Sequence, residues 1–497
     1  NNKEKKENIS YNFFDIESYN NNNNNENNEN RKKILQYKEI PWSNELIFYL
    51  NNVKIQLINP NPTELLATYI RDKVGLKGTK LGCEEGGCGA CTVVLTKPEG
   101  TVSVNSCLRP LCTNDGYSIT TIEGIGSIDA GLSTEQSSIV EEHGTQCGYC
   151  TPGWITNMHA LNMSIAETNP DYKPTGREID AYFDGNICRC TGYKPILKAF
   201  KKNCTPEDCL KCPHAGTSSC HDIVSIEDIV SSSSVSSSSS SPTSISLSSS
   251  TSSSLSPTSC EKKRSTQLRK RDQSIQSLKN YIPAPLHFSG NSNNTHWYRP
   301  VDLSQLCAIL RQYSLPLSTS SNNIQLVGGN TSIGVTKYLN NTAPYNKEDI
   351  YNIFIDINSV PELSIQNYDS NTQTLTVGAS TTLSELIQFL NHYANKAIDY
   401  NQDVTDESKI NHNSIFSVTA HHLRRIANTQ VRNAGTWAGN LGIFKKYSSF
   451  PSDVVLSFTT SNAILSICDF DGNIKQITME EFIHMNSLTG YLILNVT

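Results

Sequence analysis

The chain has 497 residues, a formal net charge of -6, 37% hydrophobic residues and 16 cysteines. That length allows two to four domains with cores of their own. The mild negative charge, with no basic stripe, argues against a nucleic-acid binder. No apolar run approaches the eighteen or so residues of a membrane span, so no membrane partner is expected.

The opening is Asn, Lys and Glu without an apolar core, so it is not a signal peptide. Residues 1–44, with the Asn run Asn20–Asn25, cannot bury enough apolar surface to fold and read as a disordered tail. Leu46–Leu50 and Val53–Leu57 flank Asn51-Asn52, the pattern of a β-hairpin on a tight turn. After Thr63, Leu65, Leu66, Tyr69 and Ile70 recur at helical spacing until Gly75. Strands are expected at Thr92–Leu95 and Thr101–Val104.

Between helix and strands lies Gly78-Thr-Lys-Leu-Gly-Cys-Glu-Glu-Gly-Gly-Cys-Gly-Ala-Cys91, which places Cys83, Cys88 and Cys91 in a C-x4-C-x2-C array, with Cys107 following after fifteen residues. This is the plant-type ferredoxin spacing for a 2Fe-2S cluster. Gly82, Gly86, Gly87 and Gly89 would let the backbone take positive φ and bring amide N–H groups to the sulfides. Structural zinc favours paired C-x2-C knuckles, and disulfides do not call for four glycines. Hairpin, helix, cluster loop and strands fit a β-grasp ferredoxin domain over 45–125.

From Leu132 the pattern turns helical. Ser133 or Thr134 should cap a helix through Glu142, Thr151 the next with Pro152 at its first position, and Thr175 with Glu178 a third that stops at Gly185; a fourth begins near Pro195. Within this four-helix unit, 126–203, Cys147 and Cys150 form C-x2-C, and Cys188 and Cys190 form C-x-C. Four thiolates at facing helix ends suit a zinc ion or a second 2Fe-2S cluster equally.

Residues 204–290 read as a flexible linker with a Ser-rich centre and a solvated basic cluster. Cys204, Cys209 and Cys212, followed by Cys220, repeat the C-x4-C-x2-C spacing but lack the glycine loop, and read as a cysteine-rich linker. Cys112, Cys260, Cys307 and Cys468 read as ordinary buried or linker thiols. The grouped cysteines are the ligand pattern of a reducing compartment, so a cytoplasmic location is expected, with the peroxisome as an alternative.

From 291 to 497 the chain is α+β. Leu303, Leu306, Ile309, Leu310 and Tyr313 make one helix face; Ile324–Val327, Ile353–Ile357 and Leu375–Val377 read as strands; Thr382 with Glu385 starts a helix. A strand runs into Leu326-Val327-Gly328-Gly329-Asn330-Thr331-Ser332-Ile333, which offers backbone N–H groups, with Asn and Thr donors, to a pyrophosphate. A second glycine loop, Ala434-Gly-Thr436-Trp-Ala-Gly439-Asn440, strengthens the case for a dinucleotide. The chain opens on Asn1 and closes on Thr497 in what reads as mid-domain, so a fragment is expected.

Together, GTKLGCEEGGCGACTVV, HGTQCGYCTPG, GNICRCTGYKPIL, LVGGNTSIG and AGTWAGNLG resemble the N-terminal part of the xanthine dehydrogenase and aldehyde oxidase family of molybdenum hydroxylases, over 45–203 and 295–497. The resemblance implies a multidomain α+β architecture: a β-grasp 2Fe-2S domain, a four-helix 2Fe-2S domain and an FAD domain of the vanillyl-alcohol-oxidase-like (PCMH) type, incomplete at its C-terminus. It implies Cys83, Cys88, Cys91 and Cys107 as ligands of one cluster and Cys147, Cys150, Cys188 and Cys190 of the other. For FAD it implies Leu326–Ile333, Thr436, Gly439, Asn440 and Asp453. Ser332 stands where the dehydrogenases commonly have Glu, and Ile426 where some members put an aromatic ring. No molybdopterin region is present, so no catalytic residue is assigned; that cofactor would come from a partner domain or subunit. Electrons from purine oxidation would reach FAD and then NAD+ or O2, and the family implies a homodimer. Alternatives are an aldehyde oxidase-like activity, a separate subunit of a split hydroxylase, and a zinc-binding scaffold with vestigial flavin loops.

Overall fold

The computed structural model describes residues 41–202, 204, 278, 280–290, 295–314, 323–339, 351–394, 414–447 and 449–497. The expected tail up to residue 40, the Ser-rich linker centre and Cys209, Cys212, Cys220 and Cys260 lie outside the described residues.

Strands β1 (Glu45–Leu50) and β2 (Val53–Ile58) pair antiparallel around Asn51 and Asn52, whose φ angles of 50° and 66° make the primed turn that matches strand twist. With β3 (Thr92–Lys97), β4 (Gly100–Asn105) and β5 (Ser118–Thr120) they form a sheet of order β2-β1-β5-β3-β4, in which β1 runs parallel to β5. This is the expected β-grasp arrangement. Leu46, Phe48, Val93 and Leu95 alternate inward against Leu66 and Ile70. The helix carrying those two departs from expectation. It starts at α1 (Leu66–Thr68), with Leu65 at the N-cap, and widens into a π turn over Tyr69–Lys73, closed by Val74 N–H on the Tyr69 carbonyl at 3.0 Å.

After the short α2 (Ile122–Ile125), four helices follow: α3 (Thr134–Glu141), α4 (Thr151–Thr168), α5 (Gly176–Tyr182) and α6 (Lys194–Lys201). Ser133 with Gln136 and Thr175 with Glu178 form reciprocal capping boxes. Thr151 is not a cap: Cys150 holds the N-cap position of α4, and Pro152 sits in its first turn. Trp154, Phe183 and Phe200 stack through the centre of this unit, with ring centroids 4.8 and 5.1 Å apart. Helix α4 also lies across the ferredoxin sheet, where Ala160 and Met163 pack on Val94 and the Thr156 hydroxyl donates to the Thr92 carbonyl at 3.0 Å.

The last part holds two sheets. Strands β6 (Leu286–Ser289), β7 (His296–Arg299), β8 (Ile324–Val327) and β9 (Ile353–Asp356) give the order β6-β7-β9-β8. Strand β6 falls inside the stretch expected as linker, because four residues are too few for their alternation to stand out. Strands β10 (Gln366–Asp369), β11 (Thr374–Gly378), β12 (Ile464–Asp469), β13 (Ile474–Thr478) and β14 (Tyr491–Val496) give β10-β11-β14-β12-β13. Around them pack α7 (Leu303–Ser314), α8 (Ile333–Leu339), α9 (Leu383–Ala394), α10 (Ile415–Leu423), α11 (Thr429–Arg432), α12 (Trp437–Lys446), α13 (Asp453–Thr460) and α14 (Met479–His484). Leu286, Phe288, Trp297 and Val327 join the core of the first domain, so the first of these sheets is built onto it. Among the described residues no helix is long and apolar enough to cross a membrane.

Candidate cofactor sites

The loop between α1 and β3, with Cys107 just after β4, brings the first four cysteines together as two pairs. Cys91 and Cys107 sulfurs lie 3.2 Å apart and buried, while Cys83 interacts with Cys88 nearer the surface. Backbone N–H groups aim at these sulfurs. Burial pushes the Cys83 thiol up, but the N–H groups of Glu85, Cys88 and Gly87, with the Cys88 thiol, hold it below its ordinary value. Cys91 is lowered to about 7, chiefly by the hydrogen bond from the Cys107 thiol. Of the four loop glycines only Gly86 and Gly89 take positive φ, at 83° and 67°, and Glu84 takes another at 56°. Gly82 is required for space instead, since a Cβ there would lie 2.8 Å from the Cys88 sulfur.

The helical unit repeats the scheme. Cys147 interacts with Cys190, and Cys150 with Cys188. The Tyr149 N–H lowers the Cys147 thiol most. Burial and the Cys188 thiol push Cys150 up to about 12. Against its own burial, Cys188 is held low by the Thr191 hydroxyl, 3.2 Å from its sulfur, and by N–H groups. Among the described residues, no three His, Cys, Asp or Glu side chains gather as a single metal ion would need. Two thiols per iron and amide dipoles turned toward them are what a 2Fe-2S cluster needs, and both sets fit it.

The two glycine loops of the last domain close on each other. A Cβ at Gly329 would overlap the Ala434 carbonyl, and one at Gly328 would lie 2.9 Å from the Thr436 side chain. They border a cavity of about 880 Å³, lined by Leu326, Gly328, Gly329, Asn330, Thr331, Ser332, Ile426, Thr436, Gly439, Asn440 and Asp453. The volume lies within the ~300–1,000 Å³ of small-molecule and cofactor sites. Thr436 caps α12 through the Gly439 N–H at 3.0 Å, which turns a helix N-terminus toward the cavity, where anionic phosphate is favoured. The residues present therefore fit a dinucleotide.

Two expected flavin residues lie off the cavity wall, and Asn330 has a second role besides lining it. Val327 turns its side chain into the ferredoxin core, and Ile333 begins α8 and is not part of the cavity wall. Asn330, at φ 58°, spends its side-chain donor on the Leu108 carbonyl at 2.8 Å, so it pins the loop to the ferredoxin domain. Other wall residues had not been anticipated: Arg425, Lys446, Leu488, Tyr491 and Ile493. Tyr491 and Ile493 come from β14, a strand with no loop motif to mark it.

Also unanticipated is α11. Asn428 caps it and donates to the Gly86 carbonyl in the first cysteine loop at 2.7 Å. Gln430 donates to Asn186 at 2.8 Å, and Arg432 pairs with Asp184 at 2.6 Å. The only hint in the sequence is the run Asn428–Asn433, polar but for Val431, directly before the second glycine loop. On the other side of the same cysteine loop, the Ile187 N–H donates to the Cys88 carbonyl at 3.0 Å.

Such an arrangement defines an iron-sulfur flavoprotein. Family models agree in the same order: a 2Fe-2S iron-sulfur cluster binding domain over 48–114, a [2Fe-2S] binding domain over 121–201, and an FAD binding domain in molybdopterin dehydrogenase over 291–497. The chain belongs to the xanthine dehydrogenase and aldehyde oxidase family of molybdenum hydroxylases, a family of oxidoreductases, and corresponds to its N-terminal portion. It is 32% identical over 462 residues to "Xanthine dehydrogenase" of Oryza sativa subsp. japonica, covering 89% of this chain and 30% of that one. It is 31% identical over 460 residues to "Xanthine dehydrogenase/oxidase" of Gallus gallus, covering 90% of this chain and 30% of that one. The chain thus spans 30% of the length of these curated relatives. Among solved structures, quinoline 2-oxidoreductase from Pseudomonas putida 86 matches at 34% identity and a TM-score of 0.28, over 32% of this chain and 90% of that one.

Proposed function

We propose that this chain is the electron-transfer part of a molybdenum hydroxylase that oxidises purines such as hypoxanthine and xanthine, with NAD+ or O2 as final acceptor. One observation carries the reading: the first cysteine loop is hydrogen-bonded on one side to the segment of Cys188, through Ile187 and Cys88, and on the other, through Gly86 and Asn428, to the segment whose Ala427 and Val431 line the flavin cavity. When bound, the clusters handle single electrons and the flavin joins them to two-electron chemistry.

The chain's own residues hold that line together. Cys83, Cys88, Cys91 and Cys107 would ligate one cluster and Cys147, Cys150, Cys188 and Cys190 the other, their charge stabilised by the N–H groups aimed at the sulfurs. The Gly328-Gly329 loop and the α12 N-terminus would hold the dinucleotide phosphates. Asp453, lining the cavity beside His422 at 3.7 Å, would take a polar edge of the flavin nucleotide. A molybdopterin domain or subunit is the partner, and the relatives' names support the purine substrate. A homodimeric, cytoplasmic enzyme completes the proposal.

Purified protein should contain four irons and one FAD per chain, and reduction should give two distinct paramagnetic signals. Cys188→Ser should remove one of the two. Clearly fewer irons, no FAD, or survival of both signals in Cys188→Ser would count against the reading. The purine part is tested separately, by xanthine oxidation in the polypeptide as it occurs in the cell.

A further inference from the structure

Cys91 and Cys107 are the deepest of the eight candidate ligands of the two sites, at 2% and 4% exposure. Asn105 is buried beside them. It is the last residue of β4, opposite Thr92 in the ladder, and its Nδ2 reaches the Cys91 sulfur at 3.6 Å. Ser106 secures the same cysteine by donating to its carbonyl at 2.7 Å. The other side of the amide gains nothing local, because Asn105 Oδ1 is buried without a hydrogen-bond partner. A polar side chain with an unmatched carbonyl is costly in such a place. Its N–H to sulfur is the one contact that such a residue makes and an apolar residue of similar size would not.

We propose that Asn105 sets the reduction potential of the ferredoxin-type cluster by donating a hydrogen bond to the Cys91 thiolate. The assignment rests on the reading of Cys83, Cys88, Cys91 and Cys107 as cluster ligands. A thiolate-ligated cluster becomes more negative by one charge when it takes an electron. A fixed N–H dipole on a ligating sulfur stabilises the reduced form more than the oxidised one and raises the potential. Burial enlarges the effect, since little water competes with the dipole. Asn105 is a positioning and tuning residue; the sulfurs themselves hold the metal.

The experiment is a dithionite titration of the full chain, loaded with iron, sulfide and FAD, in which each cluster's paramagnetic signal is followed separately. Asn105→Leu keeps the branched shape and heavy-atom count and removes the donor. The ferredoxin-type signal should then need a reduction equilibrium three- to tenfold more forcing, tenfold being about 59 mV for a one-electron couple. Asn105→Asp, which turns an oxygen toward the sulfur, should shift it further. The helical-domain signal should not move in either variant. An unmoved ferredoxin-type potential, with both clusters present, overturns the assignment. Absence of iron from the unsubstituted chain overturns the cluster reading and this one with it. If both variants lose the cluster, the unsubstituted chain decides: asparagine labelled with ¹⁵N should show a hyperfine coupling to the ferredoxin-type signal, and its absence overturns the assignment.

Discussion

Gly82 has an ordinary φ, so its backbone would accept any residue; what forbids a side chain is the Cys88 sulfur 2.8 Å from where a Cβ would stand. Gly82→Ala must therefore move either the sulfur or the loop, and the sulfur's partner Cys83 with it. The expected outcome is loss of the ferredoxin-type cluster alone, with iron falling from four toward two per chain and the helical-domain signal intact. Iron analysis beside the paramagnetic spectrum reads both. Retention of four irons with both signals unchanged would show that the loop has slack the structure does not suggest. The same scale explains the pairing of thiols. In the buried pair Cys91 is lowered and Cys107 raised, because the hydrogen bond between the two thiols favours the charge on Cys91.

At the scale of elements, α3 and α4 are locked by a buried carboxylate. Glu135 accepts from Asn162 at 2.7 Å and from His159 at 3.3 Å. Burial opposes its charge, but the bond and charge of His159 prevail and hold its pKa at about 2, below the ordinary 4.5. A carboxylate lowered on folding stabilises the fold above its unfolded pKa and loses that contribution as pH falls through the folded one. The window is thus about pH 4.5 down to 2, and the amount roughly 2–3 kcal/mol. Glu135→Gln should lower the urea midpoint of the chain at pH 5.5, and the gap to the unsubstituted chain should close as pH falls through that window. A gap that stays constant with pH would assign the loss to packing instead.

These elements differ in how readily the sequence shows them, and locality is the reason. Ser133 with Gln136, Thr175 with Glu178 and Thr382 with Glu385 are each three residues apart, so the capping partners are adjacent in the text and in space. The C-x4-C-x2-C loop is legible for the same reason. The π turn after Thr68 is not, since helical periodicity alone does not distinguish it from one more α turn. Nor is α11, whose four residues carry no apolar period and whose partners Asp184, Asn186 and Gly86 lie hundreds of residues away in the chain. Strand β14 was likewise silent as a cavity wall, because β-alternation shows which face is buried but not against what.

At the scale of the whole molecule, several polar joints hold the flavin portion to the cluster domains, two of them networks of three or more bonds. In the first, Arg299 is buried against Asp115 at 2.8 Å and bonds Tyr281 and the Ala284 carbonyl as well. Arg299→Met leaves Asp115 charged and buried, and breaking such a pair costs about 3–5 kcal/mol, so the thermal midpoint should fall by several degrees. The second joint is α11. Arg432 faces Asp184 of the helical unit, Gln430 faces Asn186, Asn428 holds Gly86, and Asn433 donates to the Ser103 carbonyl of β4 at 2.9 Å. Val431 of the same helix lines the flavin cavity and lies 3.0 Å from where a Cβ on Gly86 would be. With the Asn330 bond to the Leu108 carbonyl, this short helix sets the cavity's distance from the cysteine loop, and electron exchange across the joint is expected to depend on its staying closed. Asn428→Ala combined with Arg432→Met removes the bond to the loop and leaves Asp184 with the Thr429 N–H but no cation, weakening the joint by roughly 1–2 kcal/mol. Both positions lie outside the cysteine sets, so iron content should hold. After a light pulse that reduces the flavin, bleaching of the ferredoxin-type cluster should be slower by about tenfold, the factor that a 1.4 kcal/mol loss of the closed state gives. Unchanged bleaching, with FAD and iron both at full content, would mean that the shared core of Leu286, Phe288, Trp297 and Val327 holds the two sites in register without α11.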